Sequence, residues 1–229
     1  MYTLAIFDMA GTTINDRDEV YRVLREATER EGATYSDAQF QEWMGTEKKW
    51  AIRNLLDIGG VNVTEELVEQ AWTWFREELR RTYSEQPPVA IEGVEQALAD
   101  LRARGIKVGL TTGFSREIAD IILESMGWGV GVNLDASVTA DQVGRGRPAP
   151  DMILRVMEMT GVEDTSQVIS VGDTAADIRS AQAAGVTSVG VLTGHLSLAQ
   201  FVELGAGQVL RSVADIADAV GAPADSVRH

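Results

Sequence analysis

The chain has 229 residues, 45% of them hydrophobic, enough to bury a sizeable core as one large globular domain or as a domain carrying an insertion. With 35 acidic against 20 basic residues, its formal charge of -15 argues against a nucleic-acid partner and against an anionic membrane surface. The lack of cysteine removes disulfides, thiolate metal sites and a cysteine nucleophile; with no 18-residue apolar run and no charged-then-apolar leader, we expect no membrane span, no secretory signal and a cytoplasmic location.

The first element is the apolar run Leu4-Ala5-Ile6, which ends in Phe7-Asp8 and predicts a buried strand with a carboxylate at its carboxyl end. The turn that follows, Met9 to Thr13, has Gly11 for close backbone approach, two hydroxyls, and amides suited to an anion. The plainer alternative is a strand that simply ends in Asp-x-x-Gly, and the stretch alone does not decide between them.

The pattern then turns helical. Val20, Val23, Leu24 and Ala27 predict a helix closing at Gly32. Ser36 opens a second, carrying Phe40, Trp43 and Met44 and stopping at Gly45. Thr46 is expected to cap a third, running to about Ile58, and Thr64 a fourth bearing Leu67, Ala71, Trp72, Phe75 and Leu79. Pro87-Pro88 ends this all-helical block. Beyond it, helix and strand alternate: a helix over Val94 to Leu101, a strand over 106–112, a helix around Ile118 to Ile122, a strand near 136–139 and a helix from Pro150 to Gly161. Then come a strand over 168–171, a helix over 174–184, a strand over 186–192, a short strand at Val209-Leu210 and a helix over 212–219, with a frayed tail from Gly221 to His229. This alternation predicts an α/β, Rossmann-like parallel sheet with helices on both faces; the helical block interrupts it after the first strand.

Three more segments carry chemistry-bearing residues at strand ends or loops: Leu110-Thr111-Thr112-Gly113, Gly146-Arg147-Pro148, and Gly172-Asp173-Thr174-Ala175-Ala176-Asp177. Singly, each has a structural explanation, such as a strand terminus, a solvated arginine or a helix cap. Together with the first strand, and in this order, they resemble the four motifs of the haloacid dehalogenase superfamily, and the helical insertion resembles its cap. That resemblance divides the chain into a catalytic core, residues 1–14 and 88–229, and a helical cap domain, residues 15–87.

Most phosphatases of the superfamily have a second aspartate two residues after the nucleophile and a lysine in the third motif; here the positions hold Ala10 and Arg147. Both departures, and the stretch Met44-Gly45-Thr46-Glu47-Lys48, resemble the phosphonoacetaldehyde hydrolases and their phosphonatase-like relatives. The resemblance implies that Asp8 attacks phosphorus, that Lys48 forms an imine with a carbonyl beta to it, and that water then cleaves the aspartyl phosphate. It implies magnesium held by Asp8, the Ala10 backbone carbonyl and Asp173, with Asp177 in support. Thr112 and Arg147 would bind the phosphoryl oxygens, and Gly11, Thr12, Met44, Gly45, Gly113 and Phe114 would line the substrate, a small-molecule 2-oxoalkylphosphonate. A homodimer through the cap is a further implication.

Helical spacing gives an independent reason to prefer Lys48 over Lys49: position 48 lies on the face of Ile52, Leu55 and Leu56, and position 49 aligns with Arg53 on a solvated face. Burial matters because at the reference pKa of about 10.4 only roughly one lysine in 2500 is neutral at pH 7. The competing account is a lysine whose stem packs while its head reaches water. Three positions depart from the relatives: Ala51 where the cap has histidine, Asp18 where a cysteine follows the nucleophile, and Phe114 where a tyrosine follows the second motif. His195 follows Thr193-Gly194 near a strand end; a solvated loop is the expectation for it, with a place at the edge of the site as the alternative. Trp43, Trp50, Trp72 and Trp74 are expected to form mostly cap core, with one of the last two at a subunit contact. Two other readings remain open, an ordinary magnesium-dependent phosphatase or phosphomutase, and a phosphate-binding domain without catalysis.

Overall fold

The computed structural model describes residues 1–221, and the tail expected to fray from Gly221 lies outside them except for Gly221 itself, which ends the last helix. Strand β1 (Leu4–Asp8) is the centre of a six-stranded parallel sheet. It pairs on one side with β4 (Lys107–Thr112), which pairs with β5 (Ala136–Thr139). On the other side it pairs with β6 (Val168–Gly172), followed outward by β7 (Thr187–Val191) and β8 (Gln208–Leu210).

Every residue of β1 is buried, as a central parallel strand requires, and its alternation divides the core between two layers. Ala5 and Phe7 pack with Leu98 and Leu101 of α5 (Val94–Ala103), Ile118 and Ile122 of α6 (Arg116–Met126) and Ile216 of α10 (Ile216–Gly221). Leu4 and Ile6 pack with Met152, Ile153 and Val156 of α7 (Asp151–Thr160) and with Ala181 and Ala184 of α8 (Ala175–Ala184).

Between Asp8 and Val89 the chain forms four helices, α1 (Glu19–Glu29), α2 (Asp37–Gln41), α3 (Lys48–Ile58) and α4 (Glu65–Glu85). The two connections into this segment pair as a short antiparallel ribbon, β2 (Ile14–Asn15) with β3 (Val89–Ala90), which the sequence pattern does not predict. Arg17 reinforces it by donating to the carbonyls of Gln86 and Pro87. A further unpredicted helix, α9 (Leu198–Glu203), is capped by Ser197. Among the described residues no helix is long and apolar enough to cross a membrane.

Some local expectations are corrected. Helix α2 ends at Gln41, and Trp43 and Met44 lie in the turn that Gly45 completes at φ 76°. Helix α3 is capped by Glu47, whose carboxylate accepts from the Lys49 and Trp50 amides at 2.9 and 2.6 Å; the Thr46 hydroxyl instead donates to the Trp43 carbonyl. Of the four tryptophans of the helical segment, Trp43, Trp72 and Trp74 pack against its core from the edge, and Trp50 lies largely outside it. Trp50 is 44% exposed, and Trp43, Trp72 and Trp74 are partly exposed, with Trp74 lying under the Arg30 guanidinium. The fully buried residues there include Val23, Leu24, Ile52, Leu55, Leu56, Val68, Ala71, Phe75 and Leu79.

Replacing Phe75 by alanine should therefore cost about 3–5 kcal/mol of stability. Trp74→Ala, which gives up a partly buried ring at the edge of the core and one cation-π contact, should cost less, about 1–2 kcal/mol. Urea unfolding of both variants checks this, and equal losses would refute the assignment of the core.

Candidate functional site

The carboxyl ends of the central strands bring the four sequence motifs together. Asp8 closes β1 and sits in register with Thr111 of β4, while Asp173 lies one residue beyond β6 and Asp177 in the first turn of α8. The carboxylates of Asp8, Asp173 and Asp177 approach within 4.8 Å of one another, and all three residues are buried.

Arg147 is the counter-charge. Its Nη1 is 2.6 Å from Asp8 Oδ1 and 3.0 Å from Asp177 Oδ1, and Nη2 donates to Thr111 Oγ1 at 2.7 Å. The same Nη1 reaches the Gly45 carbonyl at 3.5 Å, which joins the guanidinium to the turn before α3. Burial makes the charged form of Asp8 less favourable and outweighs the attraction of Arg147, with repulsion from Asp177 adding to it, so its pKa rises to about 6. Burial pushes Asp173 up as well, reinforced by Asp8 and Asp177.

The Asp8 loop is more self-contained than its composition implies. The amides of Thr12, Thr13 and Ile14 all donate to the Met9 carbonyl, and the Gly11 amide donates to the Ile14 carbonyl. Those four amides are thus committed within the turn, and its capacity for an anion does not come from them. The two hydroxyls have structural duties: Thr13 donates to the Asp8 carbonyl at 2.8 Å, and Thr12 to Asp173 Oδ1 at 2.7 Å. Gly11, at φ 82°, allows Asp173 to approach, since a Cβ there would stand 2.5 Å from Asp173 Oδ2. Asp177 is largely occupied. Its Oδ2 accepts from the Thr174 hydroxyl and amide in a capping box, and its Oδ1 faces Arg147. Asp8 and Asp173 are therefore the better-placed ligands for a hard cation, with Asp177 behind them; such an ion also suits two buried carboxylates whose charged forms the site now disfavours.

The helical segment contributes a second cation. Lys48, 4% exposed, points inward from the first turn of α3, and its Nζ donates to the Thr46 carbonyl at 2.8 Å. No carboxylate among the described residues forms a salt bridge with it, whereas Lys49 pairs on the surface with Glu69 and Arg53 with Glu65. Burial lowers the Lys48 pKa to about 8, with Asp8 opposing the shift and Arg147 favouring it. The amine lies 6.0 Å from the ring centres of both Phe114 and Tyr21. Gly113 leaves room for it: a Cβ at that position would stand 2.5 Å from the Thr46 oxygen and 3.1 Å from Lys48 Nζ.

Two residues named from sequence sit at the margin. Thr112 is buried and its hydroxyl accepts from the Phe114 amide, while its neighbour Thr111 is the one that touches Arg147. Met44 lines an open groove beside the site with Phe40, Gln41 and His195. His195 lies in an exposed loop, as expected, and also edges the site: it pairs with Asp18 at 2.9 Å, meets the Tyr21 ring edge-on, and borders a cavity of about 320 Å³ with Gly11, Asp173, Thr193 and Gly194. Sequence reasoning passed over Tyr21 and Thr111. The spacing Tyr21, Leu24, Thr28 on one helical face, and the register of Thr111 with Asp8, are the signals that identify them.

Comparison with known proteins agrees with this geometry. Residues 5–191 match the family model of haloacid dehalogenase-like hydrolases. Phosphonoacetaldehyde hydrolase of Bacillus cereus (strain AH187) is 32% identical over 208 residues, covering 84% of this chain and 76% of that protein. A phosphonoacetaldehyde hydrolase-like protein from Oleispira antarctica superposes with a TM-score of 0.82 at 28% identity, covering 96% of this chain and 91% of the other. A hydrolase from Pseudomonas syringae shares the fold with a TM-score of 0.83 at 23% identity, over 96% of this chain and 98% of that one. With its motifs gathered at the sheet's carboxyl edge and its sequence matched over most of its length, the chain belongs to the haloacid dehalogenase-like hydrolases.

Proposed function

We propose that the protein cleaves the C-P bond of a 2-oxoalkylphosphonate, such as phosphonoacetaldehyde, with the α1–α4 segment as a cap that brings Lys48 to the Asp8 site. The observation that carries this reading is Lys48 itself, a buried amine with a carbonyl oxygen as its hydrogen-bond partner and, among the described residues, no ion-pair partner. A cation so placed destabilises a fold unless it has other work. With a pKa of about 8, roughly one Lys48 in ten is neutral at pH 7, against about one in 2500 for an ordinary lysine.

The neutral amine adds to the substrate carbonyl and loses water to give a protonated imine. Asp8, ionised above about pH 6, attacks phosphorus, and the C-P electron pair flows into the imine to leave an enamine on Lys48. The enamine then takes a proton from water at carbon to regenerate a protonated imine, one water hydrolyses that imine to free the carbonyl product and Lys48, and another cleaves the Asp8 acyl phosphate to release phosphate. Arg147 holds the phosphoryl oxygens while retaining Asp8 in line. Magnesium held by Asp8, Asp173 and the Ala10 carbonyl would offset charge on the phosphoryl group. Ala10 offers no acid for an ester's leaving oxygen, and an enamine leaving group requires none.

Borohydride reduction in the presence of phosphonoacetaldehyde should place an adduct on the Lys48 peptide and none in Lys48→Arg. Hydrolysis of phosphate monoesters without any adduct would instead identify an ordinary phosphatase.

The pH dependence follows from the same groups. Because the neutral amine is the reactive form, kcat/KM should rise with pH through about 8 and then level off, and a profile flat across that range would refute the role of Lys48.

Without metal, Asp8 holds its proton to about pH 6 when folded but only to about 3.8 when unfolded. Between those values the folded form binds the extra proton, so metal-free stability should fall as pH rises through this window. Magnesium should restore it above pH 6. Melting temperatures measured with chelator and with magnesium test both statements.

A further inference from the structure

We propose that Tyr21 is a catalytic residue that donates its phenol hydrogen bond to the substrate's carbonyl oxygen while Lys48 adds to the carbonyl carbon. The assignment rests on the Schiff-base reading above and adds to it the group that receives the oxygen.

Three of the four tyrosines spend their hydroxyls on the fold. Tyr2 donates to Thr187 at 3.0 Å, Tyr83 donates to Asp16 at 2.8 Å, and Tyr35 shares a hydrogen bond with Thr28 at 2.5 Å. Tyr21 is 8% exposed, yet among the described residues its hydroxyl makes no hydrogen bond. The hydroxyl is not among the solvent-sealed polar atoms left without a partner, so it opens towards the cavity that the ring lines, where a ligand's oxygen can accept from it.

Its position says which ligand. The ring centre is 6.0 Å from Lys48 Nζ, and Phe114, at the same distance from that amine, has no polar group to offer. The ring is held edge-on by Phe40 and by His195, at centroid separations of 6.4 and 5.9 Å, and His195 is anchored to Asp18. Tyr21 also lines the cavity of about 320 Å³ that reaches Asp173, so the same ring borders that space and stands 6.0 Å from the Lys48 amine.

The chemistry balances. As the amine's lone pair forms the N-C bond, the carbonyl π pair moves onto oxygen, where the Tyr21 hydrogen bond stabilises the developing charge. A proton then passes from the new ammonium to that oxygen, giving a neutral carbinolamine with the phenol still protonated.

Tyr21→Phe is the test, on the full chain with magnesium and phosphonoacetaldehyde. The substitution removes one oxygen that bonds to nothing in the fold, so the melting temperature should stay the same or rise. In that variant kcat/KM should fall tenfold or more, mostly in kcat, and borohydride trapping on Lys48 should slow by a similar factor, with inhibition by inorganic phosphate retained. Trapping and turnover at wild-type rates would overturn the role of Tyr21 alone. A lowered melting temperature accompanied by weakened phosphate inhibition would show a structural role and overturn it too. If the wild type forms no adduct on Lys48, the Schiff-base reading and this assignment fall together.

Discussion

Arg147 is the interaction on which the site depends. One guanidinium, fully inside the protein, meets Asp8 at the end of β1, Thr111 on β4, Asp177 at the start of α8 and the Gly45 carbonyl in the helical segment. Without it, three buried carboxylates would face one another with Lys48 as the nearest positive charge. Removing one member of such a buried pair typically costs about 3–5 kcal/mol, because it leaves an uncompensated charge. Arginine suits the position because its planar fork addresses several acceptors at fixed angles and stays protonated, where a lysine would supply a point charge.

Parallel strand order makes that convergence possible. With β1 flanked by β4 and β6, residues far apart in sequence emerge side by side at one edge, and the layers on both faces fix the strands that carry them. Close approach is then a matter of missing side chains. A Cβ on Gly172 would fall 2.2 Å from the Asp177 carboxyl carbon, and one on Gly194 would fall 2.1 Å from Asp173 Oδ2. These glycines set how tightly the carboxylates crowd, and hence how strongly the site favours a cation.

The α/β alternation, the central strand and the inward face of Lys48 could be read from the sequence, since each follows from apolar periodicity or from a fixed angular step along a helix. What could not be read depends on competition between neighbours. Thr46 and Glu47 are both able to cap α3, and the carboxylate wins because it reaches two amides at once. Thr111 and Thr112 are adjacent on a strand and so point to opposite faces; composition does not say which face holds the arginine. The tryptophans were expected inside on size alone, but a small helical layer is filled by Phe75 and the leucines, leaving the larger rings at its rim. The turn after Asp8 looked free to bind an anion because its internal hydrogen bonds, four amides on two carbonyls, leave no trace in residue type.

The ribbon of β2 and β3 bears on how such a chain tolerates change. Since Asn15 and Val89 are direct partners, the polypeptide departs from the sheet layer and returns to it through a single doorway. Everything strung between them is thereby uncoupled from strand register, so helices can be lengthened, shortened or exchanged there without shifting any pair in the sheet. Residues carried on that stretch, Lys48 and Tyr21 among them, are free to change while the cluster of Asp8, Arg147, Asp173 and Asp177 at the sheet's edge stays constant.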